Sequence, residues 1–181
     1  MRSYSSAREG ILDAAERLVA RDGVRRLGFG GVAQEAGVSR GGVLYHFASK
    51  EALIGAMVER LIERFEGLME ALAAADPEPH GRWARAYARA TLEIDERTEV
   101  TSALLAAIAH DPELLAPLRE RLRAWRERTE EGLDATTAAV VRLAAHALWL
   151  NGLLRMNDFA PGERRAVVEH LVRLTSPGEA R

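Results

Sequence analysis

Hydrophobic positions recur at helical spacing along nearly the whole chain, and no run alternates in the two-residue rhythm of a strand. From Ser6 to Asp22, Ile11, Ala14, Ala15, Leu18 and Val19 share one face, and Gly23 supplies the stop, so a first helix is predicted there. The stretch from Val32 to Lys50 reads as two short helices around a tight turn. Ala33 is small enough to let a second helix cross close by, Gly37 can take the left-handed conformation that ends a helix, and Val38 plugs the corner. Val32, Ala36, Val38 and Val43 then share one buried side, and Gly28, Phe29, Gly30 and Gly31 lead into the first of the two helices. Ser49 caps a long helix from Lys50 to about Ala75. Its stripe is Leu53, Met57, Leu61, Phe65, Leu68 and Leu72, widened by Ile54, Ile62 and Met69. At about 1.5 Å per residue this rod reaches roughly 40 Å.

Asp76 to Gly81 breaks the pattern, and a helix resumes near Arg82 and runs to about Arg97, with Trp83, Tyr87, Leu92 and Ile94 inward. Thr101 to Ala109 is nearly all apolar (Leu104, Leu105, Ile108) and stops at His110, Asp111 and Pro112. Leu114 and Leu115 make a short turn. Pro117 begins a helix through about Glu131 with Leu118, Leu122 and Trp125 inward. Its many Arg and Glu residues read as a solvated, salt-bridged face. Asp134 or Thr136 opens a helix apolar all round, from Val140 to Leu154, which needs more than one partner. After a loop from Asn157 to Gly162, Pro161 starts a final helix with Val167, Val168, Leu171, Val172 and Leu174 in a stripe. Ser176 to Arg181 is expected to fray.

Charge changes this picture in one respect. The chain carries a net charge of −2 over 181 residues, but residues 1–50 hold eight basic side chains (Arg2, Arg8, Arg17, Arg21, Arg25, Arg26, Arg40, Lys50) against five acidic ones (Glu9, Asp13, Glu16, Asp22, Glu35). That is a net +3, leaving −5 for the remainder, a polarity that turns the N-terminal part toward a polyanion. There is no cysteine, hence no disulfide framework and no thiolate chemistry. The segment from Met1 to Gly10 is polar, and no apolar run reaches the roughly 18 residues of a membrane span, so a soluble cytoplasmic protein is expected.

The spacing from Val32 to Lys50 is that of a helix-turn-helix, whose second helix enters the DNA major groove while the first braces it. Ser39 can cap the second helix. Arg40, Tyr45, His46 and Lys50 put donors where phosphates and base edges would lie. Each of Gly41 and Gly42 costs a helix about 1 kcal/mol relative to Ala, which points to something approaching the backbone closely.

These residues resemble the DNA-binding domain of the tetracycline-repressor (TetR) family: Gly23, Val32, Ala33, Ala36, Gly37, Val38, Ser39, Gly41, Tyr45, His46, Phe47, Ser49, Lys50, Glu51 and Leu53. The resemblance covers about the first third of the chain. It implies an all-α protein with an N-terminal three-helix helix-turn-helix domain, residues 1–50, and a C-terminal helical ligand-binding and dimerisation domain, residues 51–181. Its first helix would pack under the motif, with Arg2 and Arg8 in reach of the DNA backbone. The sequence departs from the family where relatives carry Thr or Ser near Leu27 and Gly28, and an aromatic at Leu44. Bare amides at Gly30 and Gly31 can still hold a phosphate. Leu44 offers only an apolar contact, such as a thymine methyl, which leaves Arg40 to read a base through its two-pronged donor. Tyr45, His46 and Lys50 then grip phosphates, while His46 alternatively packs the helix end. The expected DNA contacts are thus Gly30, Ser39, Arg40, Gly41, Gly42, Leu44, Tyr45, His46 and Lys50.

The resemblance further implies a homodimeric regulator on a palindromic operator. A small molecule in the C-terminal part swings the fourth helix, and the last two helices form a four-helix bundle with the partner. Trp83, Tyr87, Trp125, His146, Trp149 and Asn151 are candidate effector contacts because they join aromatic surface to a polar tip. Of these, Trp83 and Trp125 read as plain core before they read as effector contacts. No cofactor or metal is expected, since the five His are scattered without i, i+4 pairing. No nucleophile elbow or P-loop is present, so no catalytic residue is assigned. Two other readings stand beside this one: a helix-turn-helix regulator without a small-molecule pocket, and a helical ligand-binding or enzymatic domain.

Overall fold

Helices form where the apolar spacing predicts them. The structure, a computed structural model, describes residues 4–95, 107, 110–153, 156, 159–160 and 162–176. Among these residues every regular element is helical: α1 (Tyr4–Asp22), α2 (Phe29–Ala36), α3 (Arg40–His46), α4 (Lys50–Ala75), α5 (Arg82–Asp95), α6 (Ala116–Thr129), α7 (Ala135–Leu153) and α8 (Glu163–Leu174), with 3-10 turns at Val24–Arg26 and Pro112–Leu115. The chain divides into two compact units, Met1–Ile62 with Arg97–Arg119, and Glu63–Glu96 with Glu120–Arg181.

In the first unit, Ile11, Leu12, Ala14 and Ala15 of α1, Val32 of α2, Val43 of α3, and Leu53, Ile54, Met57 and Val58 of α4 are fully buried. A buried cation ties α4 to α1. The Arg60 side chain, 8% exposed, meets Glu16 with both prongs, one of them an Nε–Oε1 hydrogen bond of 3.1 Å. It also donates to Asp13 at 2.8 Å and Glu9 at 3.1 Å. Glu16 is itself only 3% exposed, so losing Arg60 would strand a buried carboxylate, at a cost of about 3–5 kcal/mol.

In the second unit, α5, α7 and α8 enclose Ala84, Ala88, Val141, Leu148, Val168 and Leu171. The small alanines and valines at facing positions let the helices approach closely. Arg85 closes one end of this packing. It pairs with Asp76 at 2.7 and 3.1 Å and donates to the carbonyls of Glu78 (2.6 Å), His80 (2.8 Å) and Thr175 (3.1 Å). The turn before α5 and the last turn of α8 therefore share one cation, which satisfies carbonyls that would otherwise be orphaned.

Several boundaries differ from expectation. Phe29, Gly30 and Gly31 form the first turn of α2 rather than a lead-in, with Gly28 extended at the cap position and giving no side-chain hydrogen bond. Gly31 has a packing reason, since a Cβ there would lie 3.1 Å from Leu18 Cδ2 and 3.2 Å from the Arg26 carbonyl. The sixth helix starts at Ala116 and ends at Thr129, and α8 starts at Glu163 behind Gly162, not at Pro161. Asp134 is the residue that opens α7, accepting from the N–H groups of Thr136 and Thr137. The seventh helix is not buried all round: Val140, Leu143 and Leu150 are 46%, 67% and 47% exposed. Trp83 is half-buried rather than inward, and Ser176 is held by hydrogen bonds to Arg173 and Val172 instead of fraying. Arg2, the Ile94 side chain, Arg97, the stretch from Thr101 to Ala109 apart from Ala107, Leu154, Asn157, Pro161 and residues 177–181 lie outside the described residues.

Candidate functional site

The turn between α2 and α3 is built from its glycine. Gly37 sits at φ 66°, ψ 34°, the left-handed region. Its N–H donates to Gln34 and that of Val38 to Ala33, closing α2 with the paired hydrogen bonds of a Schellman turn. Ser39 then opens α3, its Oγ accepting from Gly42 N at 3.0 Å. Val43 is fully buried and Phe47 nearly so, which turns the opposite side of α3 outward. There Arg40 and Gly41 are exposed, with Leu44 at 42% and Tyr45 at 75%. A side chain added at Gly41 or Gly42 would meet nothing closer than Ser39 Oγ, at 3.8 and 3.4 Å, so the fold itself does not demand these glycines.

Around this face the other expected DNA contacts take different places. Gly30 is exposed in the first turn of α2, with open space where a Cβ would point. Lys50 is half-buried at the start of α4, whose cap Ser49 accepts from Ala52 N at 3.1 Å. His46 is half-buried, its ring edge-on to Tyr45 at 5.3 Å and tilted against Phe47 at 6.5 Å, a packing role more than an outward one. Arg8 is drawn inward too, over the Phe47 ring at 5.4 Å and beside Glu9. Arg17 and Arg21 are both committed to Glu35, at 3.1 and 2.8 Å. Hydrogen bonds from Arg21 and Arg17 hold the Glu35 carboxyl below its ordinary range. Among the described residues of α1 to α3 and the turns between them, Arg25, Arg26 and Arg40 are exposed, and Lys50 at the start of α4 is half-buried. Chemically, this face can present a forked donor to a guanine, an apolar tip to a thymine methyl and a phenol to a phosphate.

In the second unit four rings meet. Phe65 of α4, Tyr87 of α5 and Trp125 of α6 have centroids 4.7–6.2 Å apart, and His146 of α7 stands 5.7 Å from Tyr87. Tyr87 Oη and His146 Nε2 are 2.5 Å apart. Burial pushes the Tyr87 phenol up, against a smaller opposing effect of Arg142. Burial and then Arg142 hold His146 below its ordinary value. Both shifts favour the neutral forms near pH 7, so one hydrogen bond joins the phenol to the imidazole. Trp125 Nε1 donates to Glu66 at 3.0 Å, and Arg121 pairs with the same carboxylate at 3.4 Å.

Tyr87, Trp125 and His146 thus come together as a set. Trp149 lies three residues beyond His146 on the same flank of α7, whereas Asn151, five residues on, is turned about 140° away. Trp83 belongs elsewhere, its ring under the Arg128 guanidinium at 4.7 Å and near Arg82 at 5.8 Å. Phe65, Glu66 and Arg142 were missed among the candidates. Phe65 is hidden in the α4 stripe, and Glu66 has no local signal. Arg142, one turn before His146 and the one charged residue of α7, was the one that could have been noticed. It is 14% exposed and held by Thr129 and Glu130. Among the described residues no group of three or more His, Asp or Glu is placed to hold a metal ion, and no helix is long and apolar enough to cross a membrane.

Comparison with known proteins gives this arrangement a class. Residues 11–57 match the model of bacterial regulatory proteins of the tetR family, and residues 81–176 match the tetracyclin repressor-like C-terminal domain. The chain belongs to the tetR family of bacterial regulatory proteins. It is 36% identical over 69 residues to the HTH-type transcriptional regulator TtgR of Pseudomonas putida, a match covering 38% of this chain and 33% of that protein. The chain thus spans about a third of the length of the curated relatives it matches, 33% for TtgR. Among solved structures it is similar to the multidrug binding protein EbrR complexed with ethidium, 28% identical with a TM-score of 0.67 over 95% of this chain and 99% of that one. A transcriptional regulator from Rhodococcus sp. Rha1, 20% identical over 93% of this chain and 95% of that one with a TM-score of 0.72, shows the same fold.

Proposed function

We propose that the protein is a sequence-specific DNA-binding regulator of transcription, a homodimeric repressor that leaves a palindromic operator when a small molecule binds it. The observation that carries this reading is the outward face of α3, where Arg40, Gly41, Leu44 and Tyr45 are exposed around a helix anchored by Val43 and capped by Ser39. Arg40 reads a base, Leu44 makes an apolar contact in the groove, and Tyr45, Lys50 and the amide of Gly30 hold phosphates. Residues 1–50 serve DNA, and residues 51–181 serve the effector and the partner chain, in the cytoplasm.

Dimerisation is supported by the exposed stripe Val140, Leu143 and Leu150 on α7, which lies opposite the buried Val141, Ala145 and Leu148. An apolar stripe of this kind is what a two-fold helical interface uses. Effector binding is supported by the ring cluster of Phe65, Tyr87, Trp125 and His146 and by the likeness to EbrR, a multidrug binding protein. An effector preferring the non-binding state by about 3 kcal/mol would change operator affinity about 150-fold.

The test is to select duplex DNA from a randomised library with the full chain. Arg40→Ala and Tyr45→Ala should each weaken binding to the selected duplex by about 1–3 kcal/mol. Parent-like affinity in both variants would sink the reading.

A further inference from the structure

His110 stands outside both the α3 face and the ring cluster, yet its Nε2 ends 2.6 Å from Glu51 Oε1. Glu51 is the second residue of α4, between Lys50 and the Ala52 amide that Ser49 caps. A carboxylate in that first turn faces the positive end of the helix dipole. The hydrogen bond with His110, aided by the helix-terminal amides and Ser49, holds its pKa to about 2. Glu51 is therefore an anion throughout the physiological range and an acceptor for the imidazole.

Asp111, next to His110, is tied at two points. Asp111 N donates to the Ala107 carbonyl at 2.9 Å, and the Asp111 carboxylate caps the following turn by accepting from Glu113 N at 2.9 Å. Ser49 and Lys50 adjoin Glu51, so whatever fixes Glu51 fixes the first turn of α4 from which Lys50 extends.

We infer that His110 is a positioning residue for DNA binding: through Glu51 it sets the first turn of α4, and with it Lys50. This deepens the proposed regulatory function and rests on it. Neither residue touches DNA in this scheme. Their effect passes through Lys50.

The test uses the full chain and the duplex selected by the parent protein, with binding measured by fluorescence anisotropy over a range of salt. His110→Ala should weaken binding about fivefold or more, the lower end of ordinary coupling. It should also lower the slope of log affinity against log salt by about one, as Lys50 loses its phosphate. His110→Gln, whose amide can donate to the same carboxylate, should stay within about twofold of the parent on that scale. Adding His110→Ala to Glu51→Ala should change nothing further. Should His110→Ala lose its helical circular dichroism, Glu51→Gln, which keeps the shape and drops the charge, carries the same comparison. Parent-like affinity and salt slope in His110→Ala, or effects of the two alanine variants that multiply, would overturn the inference while leaving the DNA-binding reading intact. A parent protein that selects no sequence would overturn both.

Discussion

Gly81 offers a perturbation whose cost can be worked out. It sits at φ +69°, and an added Cβ would lie 2.7 Å from the Thr175 carbonyl oxygen, 3.2 Å from Leu133 Cδ2 and 3.3 Å from Thr175 Cβ. The left-handed backbone alone costs an L-residue about 1–2 kcal/mol. The carbonyl cannot simply retreat, because Arg85 donates to it at 3.1 Å while also holding Asp76. Overpacking of this kind adds about 1–3 kcal/mol, so Gly81→Ala should lose about 2–5 kcal/mol. Gly23 supplies the control: its φ is +79°, yet nothing lies within 4 Å of an added Cβ. Gly23→Ala should therefore lose only the backbone cost of about 1–2 kcal/mol. Urea unfolding separates the two readily, since Trp83, Trp125 and Trp149 all lie in the unit that contains Gly81 and their fluorescence reports it. Far-ultraviolet circular dichroism follows the whole chain. Losses equal to within about 0.5 kcal/mol for the two variants would refute the clash at Thr175.

Two further outcomes are expected. Leu143→Glu places a charge in the exposed α7 stripe and, counted once for each copy, removes about 3 kcal/mol or more of apolar burial from a dimer; sedimentation should show dimer affinity weakened by about two orders of magnitude, and an unchanged sedimentation profile would contradict the interface. His146 is kept neutral in the fold, first by burial and then by Arg142, so the unfolded chain binds more protons below its ordinary value of about 6.5. Stability is then full above that pH and falls as the pH drops beneath it. The urea midpoint read by tryptophan fluorescence should decline from pH 7 to 5.5 less in His146→Gln than in the parent, and parallel declines would exclude His146 as the cause.

What could be read from the chain was what its neighbours along the chain decide. Gly37, Ser39, Ser49 and Asp134 each do their work within three residues of themselves, and each stands where expected as turn or cap. What could not be read was pairing at long separation. Arg60 with Glu16, Arg85 with the Thr175 carbonyl, Trp125 with Glu66 and His110 with Glu51 join residues 44, 90, 59 and 59 apart, and no local spacing announces them. The tryptophans make the same point, since one residue type has separate fates. Trp125 is buried among rings, while Trp83 lies under Arg128, because their helices turn different sides to the core. The seventh helix misled for another reason: a helix apolar on every side carries no period to tell its buried face from its exposed one.

Arg60 sets a rule for anyone grafting this protein. A chimera that joins a foreign N-terminal head at residue 50 would keep Arg60 and discard Glu9, Asp13 and Glu16, leaving a guanidinium in the interior with no carboxylate to meet it. A junction after Ile62, where the first compact unit's opening segment ends, would carry donor and acceptors across together. Such a cut keeps the guanidinium with its carboxylates, yet it parts Arg97–Arg119 from the rest of the first unit, so a head grafted there must also supply a partner for His110 where Glu51 stood.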